Sequence, residues 1–414
     1  MGNSTFMPRH RTNTAVRVGL AALLTIGLAA TALAEPQAAG TKKKKVTIAT
    51  APAAQVTAAP APAAAPATVE ANRKFKIMMD VYPSTERAED LKALGVNQYI
   101  AIYQNSDPDA VHTGLVNPDK IIAQVKSQFG NDPKGFGFLD YEIPFDANIG
   151  KGPGHPDYEK TVASMVAGIK KVKAAFPNVK WTYYGIPATD YWIKNWWDWE
   201  NAPAVERTAE IEKQIRNYGP VLKELDWVNC CTYDVYVYSK YAPEKRPAAI
   251  VRETQYRIAR MSVAKEMWKR MNLPPKPIIP AICLHYAPGG NGVEYEMIPM
   301  DEFITDQIMP AIMAGADGVA IWSASSAYLG LATSPNENGW VTGTQAELRN
   351  AWTKSLLNGQ VPGNWTASPT KKMLSDKLHE HMVNAVKKIR ESALASGRTV
   401  GGSAPVATAG VTNQ

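Results

Sequence analysis

The chain has 414 residues, a formal net charge of +7 at pH 7 and three cysteines. Three arginines in the first 34 residues and the block Lys42–Lys45 supply most of this charge, so the remainder is nearly neutral. That distribution argues against nucleic-acid binding through a broad basic face. Cys230, Cys231 and Cys283 give no disulfide framework. We expect buried free thiols, no metal and no cofactor; a Cys–His metal site through His285 is the minor alternative.

The first 34 residues have the features of a signal peptide. Arg9, Arg11 and Arg17 precede an apolar run from Val18 to Leu33, and Ala32-Leu33-Ala34 is a small-x-small cleavage site. The run is short for a membrane-spanning helix. We therefore predict that residues 1–34 are removed and that the protein is secreted or periplasmic, with no stable membrane insertion afterwards. An uncleaved anchor is the alternative.

Composition divides the rest of the chain into a linker, a folded body and a tail. Residues 35–72 contain the lysine block and then an Ala- and Pro-rich stretch, which predicts a disordered, semi-extended linker. Residues 73–360 are expected to form one catalytic domain, and residues 361–395 a C-terminal helical extension. The Gly, Ala, Ser and Thr bias of residues 396–414 predicts a disordered tail.

Strand-like and helical segments alternate through the folded body. The strand-like runs are apolar on both faces, as parallel strands covered on both sides are. The helical runs repeat apolar residues at spacings of three and four. The predicted strands are Phe75–Tyr82, Val96–Tyr103, Gly135–Ile143, Trp181–Pro187, Trp227–Val237, Pro277–Tyr286 and Gly318–Ser323. The predicted helices are Thr85–Leu94, Pro118–Phe129, Tyr158–Phe176, Ala204–Leu225, Ala249–Met271 and Met300–Ala314.

This alternation predicts an α/β fold, a (β/α) TIM-like barrel of seven or eight parallel strands. The segment Val293–Ile298 is the candidate for an irregular eighth strand. An open doubly wound sheet is the alternative. It is disfavoured because Asp80–Ser84 follows the first strand, where such a fold carries a glycine-rich phosphate turn.

Polar and aromatic residues gather at the carboxyl ends of the predicted strands. Barrel enzymes place their sites at this face, because the loops after the strands converge there. The same bias at seven strand ends predicts one site. These residues are Asp80, Tyr82, Tyr103, Asp140, Tyr141, Glu142, Tyr183, Tyr184, Asp190, Tyr233, Asp234, His285, Tyr286, Trp322 and Ser323.

The strongest local pattern is the acidic pair Asp140 and Glu142 at the end of the third predicted strand. Residues two apart on a strand face the same side, so both carboxyls should face the barrel mouth while Leu139 and Tyr141 face the helices. Two carboxyls in a low-dielectric pocket raise one pKa, as a general acid on a glycosidic oxygen requires. The alternative is a helix cap and a loop salt bridge.

Aromatic side chains near this pair suit a carbohydrate. The apolar faces of a sugar stack on flat rings while its hydroxyls contact polar neighbours, and Tyr184, Tyr233 and Trp322 could form such a surface. Core packing is the alternative for each. A tryptophan-rich segment after the fourth strand could extend the surface or pack under a helix instead. Its tryptophans are Trp192, Trp196, Trp197 and Trp199.

Three short blocks, in the same order and at barrel strand ends, resemble the hyaluronidase family of glycoside hydrolases. They are LDYE at Leu139–Glu142, WTYYGIP at Trp181–Pro187 and GADGVAIWSAS at Gly315–Ser325. The resemblance spans about residues 75–330. It implies a distorted barrel, in some members seven-stranded, and a retaining mechanism assisted by the N-acetyl group of the substrate.

The resemblance also implies roles for individual residues. Glu142 would be the general acid and then the base, and Asp140 would orient the acetamide that attacks the anomeric carbon. Tyr233 would donate to the same acetamide, Tyr191 matches a second family tyrosine if one extra residue is allowed after Pro187, and Trp322 would wall the pocket of the acetamide methyl. Other predicted substrate contacts are Asp80, Tyr82, Tyr184, Asp234 and Tyr286.

The sequence departs from the family in two respects. The disulfides of the family are absent, and Ile143-Pro-Phe-Asp146 replaces its aromatic and basic residues. A neutral N-acetylhexosamine polymer therefore fits this nearly neutral body at least as well as hyaluronan does.

We thus predict an exported, endo-acting glycoside hydrolase that binds a polysaccharide or oligosaccharide. A non-catalytic carbohydrate-binding barrel and a tethered envelope scaffold are the alternatives.

Overall fold

The computed structural model describes residues 74–80, 88–104, 107–187, 198–287, 297–322 and 368–400. The predicted signal peptide and linker lie outside these residues, as do the candidate site residues Tyr82 and Tyr191. Among the described residues, no helix is both long and apolar enough to cross a membrane.

Six parallel strands form one sheet, in the order β4-β3-β2-β1-β6-β5. The strands are β1 Lys76–Met79, β2 Val96–Tyr103, β3 Gly135–Asp140, β4 Val179–Tyr183, β5 Ala281–Cys283 and β6 Gly318–Trp322. The helices are α1 Ala88–Ala93, α2 Pro108–Thr113, α3 Pro118–Phe129, α4 Phe145–Gly150, α5 Pro156–Ala175, α6 Ala204–Glu224, α7 Arg246–Arg270, α8 Met300–Phe303, α9 Met309–Met313 and α10 Ser368–Ala395.

The sheet is curled, and one irregular segment touches both of its edges. In that segment, Asn229 forms a parallel bridge to Tyr184 just after β4, and Cys231 forms another to Ala281 of β5. The predicted strand Trp227–Val237 therefore makes isolated bridges rather than a ladder. In the described part of the chain the fold is an α/β half-barrel with helices outside, and it has six strands where seven or eight were predicted.

Proline explains the shortening of the predicted strand Pro277–Tyr286. Pro277 and Pro280 have no N–H to donate to a ladder, so the strand begins only at Ala281. The proposed eighth strand falls mostly outside the described residues. Its described end, Met297, makes one antiparallel bridge to His285 and not a parallel strand.

Alternation along the strands separates two apolar layers. Side chains of one phase pack inside the curl, and side chains of the other phase pack beneath the helices. The inner cluster consists of Met78, Tyr99, Phe138, Trp227, Ile279 and Ala320. The outer layer includes Ile77, Ile100, Leu139 and Ile321, which belong to the main core with the helices.

The helices cover the sheet with their apolar faces. In α5, Met165, Ile169 and Val172 are buried while Lys170 and Lys171 are exposed, as the predicted spacing requires. The boundaries of β2 and α3 coincide with the predicted ones.

Three helical features differ from the sequence prediction. The short helices α2 and α4 were not predicted, and the predicted helix Met300–Ala314 contains a π-helical turn at Ile304–Ile308. In that turn the Gln307 side chain bonds both the N–H and the carbonyl of Cys283 on β5. An extra residue in the turn lets this amide reach the strand, which explains the interruption.

The C-terminal helix α10 packs on the body. Leu378, Met382 and Val386 are buried in the main core. Beyond the helix, Val400 still bridges to Phe75 beside β1, so the chain contacts the fold past the predicted tail boundary at Ser396. Residues 401–414 lie outside the described part.

Candidate active site

At the carboxyl ends of the strands, polar residues occupy the positions that face the inside of the curled sheet. Asp80 lies two residues after Met78, and Trp322 two after Ala320, so both inherit the inward direction of the inner cluster. We call this group the mouth cluster. It consists of Asp80, Tyr103, Asp140, Glu142, Tyr184, Tyr233 and Trp322.

A hydrogen-bonded chain joins three neighbouring strands in the mouth cluster. The Tyr103 hydroxyl donates to Asp80 Oδ2 at 3.1 Å, and the indole Nε1–H of Trp322 donates to the Tyr103 oxygen at 3.2 Å. Burial raises the pKa of Tyr103 well above its usual value, so the hydroxyl keeps its proton. The strand order β2-β1-β6 is what brings these side chains together.

Aromatic rings form a continuous wall beside this chain. The Tyr184 and Tyr233 ring centroids lie 6.0 Å apart at 30°, and Tyr233 stacks on Trp322 at 6.0 Å and 28°. His285 packs edge-on against Trp322 at 5.4 Å. Burial lowers the pKa of His285 to about 4, so this support is neutral. Tyr184, Tyr233 and Trp322 are the three residues that were predicted to form a sugar-stacking surface.

The carboxyls of Asp140 and Glu142 are both partly accessible and both desolvated. Burial raises the pKa of Glu142 to about 6. Burial, followed by the charges of Glu142 and Asp146, raises the pKa of Asp140 well above its usual value. A carboxyl that water can reach but that protein surrounds lies in a recess. The two groups therefore ionise as a coupled pair that retains a proton towards neutral pH.

The surroundings fix these two residues in different ways. The Glu142 N–H donates to the Gln104 side chain at 2.8 Å, which anchors the backbone just after β3. Asp140 Oδ1 is buried and has no hydrogen-bond partner among the described residues. An unsatisfied buried acceptor is costly, and the charge of Asp140 acts on Tyr233 in the aromatic wall.

A third carboxyl, Asp146, belongs to this region and was not a predicted site residue. It lies in the first turn of α4, and its N–H donates to the Glu142 carbonyl at 2.8 Å. Its side chain is exposed, yet desolvation and Glu142 raise its pKa to about 7, with Arg260 opposing them. In the sequence, the feature that indicates this position is the spacing of four residues between Asp146 and Glu142, which places both on the same side of a helical turn.

The structure does not bring Asp234 or Tyr286, two of the predicted substrate contacts, into the mouth cluster. Tyr233 belongs to the aromatic wall, whereas the next residue, Asp234, is directed toward α7. The buried Asp234 carboxylate pairs with Arg257 of α7. The Tyr286 hydroxyl donates to Glu302 of α8.

The other candidate residues pack in the core or lie outside the described residues. Tyr141 and Tyr183 pack beneath the helices, with their rings 6.1 Å apart at 89°. Trp199, the described member of the tryptophan-rich segment, is buried in the main core. Asp190 and the other three tryptophans lie outside the described residues.

The three cysteines are free. Within the described ranges no group of three potential ligands could hold a metal ion.

Comparison with known proteins gives distant structural likenesses. No family model and no curated protein matches the chain. Bee venom hyaluronidase is 13% identical, with 76% of this chain and 100% of that chain covered and a TM-score of 0.45. The bee venom hyaluronidase in complex with a hyaluronic acid tetramer is 14% identical, covering 61% and 91%, with a TM-score of 0.42.

A third solved structure is AbfB, a family 51 α-L-arabinofuranosidase from Bifidobacterium longum. It is 11% identical, covers 60% of this chain and 66% of that chain, and has a TM-score of 0.29. The likeness of this chain to all three structures is distant.

Proposed function

We propose that the protein hydrolyses a glycosidic bond beside an N-acetylhexosamine, with retention of configuration and with assistance from the substrate acetamide. The observation that carries the proposal is the partly accessible pair Asp140 and Glu142, which shares one mouth with a wall of three aromatic rings. A glycosidase needs a carboxyl that keeps its proton at a higher pH than an ordinary glutamate does, and the pKa of Glu142, raised by burial to about 6, meets that need in mildly acidic solution.

Four residues of the mouth cluster take part in the proposed mechanism. Glu142 donates its proton to the leaving oxygen and later accepts one from water. Asp140 accepts the acetamide N–H on its unpartnered Oδ1 and so orients the acetamide oxygen toward the anomeric carbon. The Tyr233 hydroxyl, kept protonated by burial, donates to the acetamide oxygen, and Trp322 packs on the acetamide methyl.

Substitution of the two carboxyls tests this proposal. The full chain should release reducing ends from N-acetylhexosamine oligosaccharides, and Glu142→Gln should abolish turnover while it preserves sugar binding. Asp140→Asn should lose at least about 100-fold in kcat, because it removes the carboxylate that orients the nucleophile. Asp132→Asn is the matched control: Asp132 is exposed before β3, at the opposite end of the strand, and its bond from Asn178 survives in the amide. Full activity of Glu142→Gln would remove Glu142 from the mechanism.

A non-catalytic carbohydrate-binding protein is the second candidate. The stacked rings favour it, because stacking on Tyr233 and Trp322 needs no carboxyl. This candidate requires that the wild-type protein retain N-acetylhexosamine oligosaccharides and release no reducing ends. Product release that depends on Glu142 would reject it.

We also infer export from the sequence of residues 1–34. Its support is the arginine-flanked apolar run with a small-residue cleavage site. Sequencing the N-terminus of the protein from culture supernatant and cell fractions tests the inference; a mature chain that begins at Glu35 is the expected result.

A further inference from the structure

The segment that carries Tyr233 is not held by a strand ladder. Among the described residues, its last bridge to the sheet joins Cys231 to Ala281, and the Thr232 N–H then donates to the Ala281 carbonyl at 2.9 Å. The Tyr233 ring nevertheless lies in the aromatic wall, with its centroid 6.0 Å from that of Trp322. Contacts from outside the sheet therefore help to fix this ring.

Arg257 of α7 donates hydrogen bonds to the residues on both sides of Tyr233. Its Nε–H donates to the Thr232 carbonyl at 3.3 Å, and its Nη2–H donates to the Asp234 carboxylate. We call these two bonds the Arg257 clamp. The Asp234 carbonyl also accepts the Ala287 N–H at 2.7 Å. One guanidinium group therefore binds the backbone just before Tyr233 and the side chain just after it.

Burial separates the Arg257 clamp from the mouth. Arg257 and Asp234 are fully buried and Thr232 is nearly so, whereas Tyr233 is partly accessible. A fully buried side chain does not contact a ligand that enters from solvent. Arg257 can therefore act on a ligand only through the residues that it holds.

We infer that Arg257 is a positioning residue that holds Tyr233 in the aromatic wall from the helix side of the chain. A guanidinium suits this task because it is planar and presents its donors in fixed directions. A lysine ammonium is a point charge on a flexible stem and does not reproduce both bonds of the clamp. The consequence for catalysis rests on the proposed function, in which the Tyr233 hydroxyl donates to the acetamide oxygen.

Fluorine NMR of the full chain tests the positioning without any substrate. With 3-fluorotyrosine in place of Tyr233, the fluorine resonance reports whether the ring keeps its place in the wall. Arg257→Lys should shift or broaden this resonance, because the clamp loses at least one of its bonds. Arg270→Lys is the matched control, since Arg270 lies on the same helix but pairs with Glu212 at the surface, and it should leave the resonance unchanged. A wild-type resonance in folded Arg257→Lys overturns the inference.

Asp234→Asn provides the test if Arg257→Lys does not fold. The amide keeps the shape of the side chain and one acceptor oxygen but loses the charge, so its bond to Arg257 weakens. The resonance should then broaden as the Tyr233 ring samples more than one position. A sharp resonance at the wild-type position overturns the inference here as well.

Kinetics on N-acetylhexosamine oligosaccharides separate positioning from a general loss of stability. Arg257→Lys should lower kcat about tenfold, because a displacement of about 1 Å at a reacting group is enough for such a loss. In a Tyr233→Ala background the same substitution should change kcat less than about twofold, since the residue that Arg257 positions is then absent. An equal loss of kcat in both backgrounds overturns the inference.

The two readouts separate this inference from the proposed function. If the wild-type protein shows no turnover but the resonance moves in Arg257→Lys, the proposed function is rejected and the positioning of Tyr233 by Arg257 is supported. If the wild-type protein turns over substrate but the resonance stays in place, the role of Arg257 is rejected and the proposed hydrolysis is unaffected.

Discussion

Replacement of Arg257 by methionine should destabilise the protein strongly and more so as pH rises. Arg257 on α7 and its partner Asp234 are both fully buried. Glu253 and Glu302 also act on the Asp234 charge. Removing one partner of a buried ion pair costs about 3–5 kcal/mol, because the other charge stays buried and uncompensated.

The pH dependence follows from the direction of the pKa shifts. Burial raises the pKa of Asp234 from 3.8 to about 6, so its contribution to stability is complete below the unfolded value and is lost as pH rises through 6. Arg257 limits that rise. Without it the pKa of Asp234 increases further, and the loss continues to higher pH. Each pH unit over which the folded variant holds a proton that the unfolded chain has released costs about 1.4 kcal/mol.

Urea unfolding followed by circular dichroism, at about pH 6 and about pH 8, measures this effect. Arg270→Met is the matched control, because Arg270 is on the same helix and pairs with Glu212 at 2.9 Å on the surface. The control should lose less than about 1 kcal/mol. A loss for Arg257→Met that is equal at the two pH values, or no larger than that of the control, would refute the reasoning.

Three further predictions concern the site and the strands beneath it. If Glu142 is the general acid, kcat should fall as pH rises above about 6, because that is the raised pKa of this carboxyl. A pH–rate profile that is flat from about pH 5 to 8 would contradict that role. Tyr103→Phe removes the hydrogen-bonded link between Asp80 and Trp322. It should reduce kcat/KM about tenfold with little change in the urea unfolding midpoint. Unchanged kinetics would show that the link does not position Asp80 or Trp322 for activity. Gly137→Ala places a Cβ 2.2 Å from the Trp181 ring and should lower the free energy of unfolding by about 1–3 kcal/mol. Gly150→Ala is the control, because there is open space around Gly150, and it should be nearly neutral. Thermal unfolding of the two variants measures the difference.

The sequence by itself determined those features that depend on local periodicity. The bounds of β2 and α3 follow from apolar spacing and from Pro118 at the helix start, which act within one segment. The phase of β3 also follows from its sequence, because a period of two places Asp140 with Phe138 and opposite Leu139. The carboxyl pair could therefore be located before any tertiary structure was known.

Tertiary structure decided which of two adjacent polar residues faces the mouth. Tyr233 and Asp234 both suit a site, but only α7 supplies the buried cation that Asp234 needs on the outer side. That Trp227–Val237 makes isolated bridges to Ile278 and Ala281 instead of a ladder is likewise a result of how the two segments meet. Each of these outcomes depends on contacts between segments distant in sequence, and the free energy of burying a charge or pairing an N–H is set only when those segments meet.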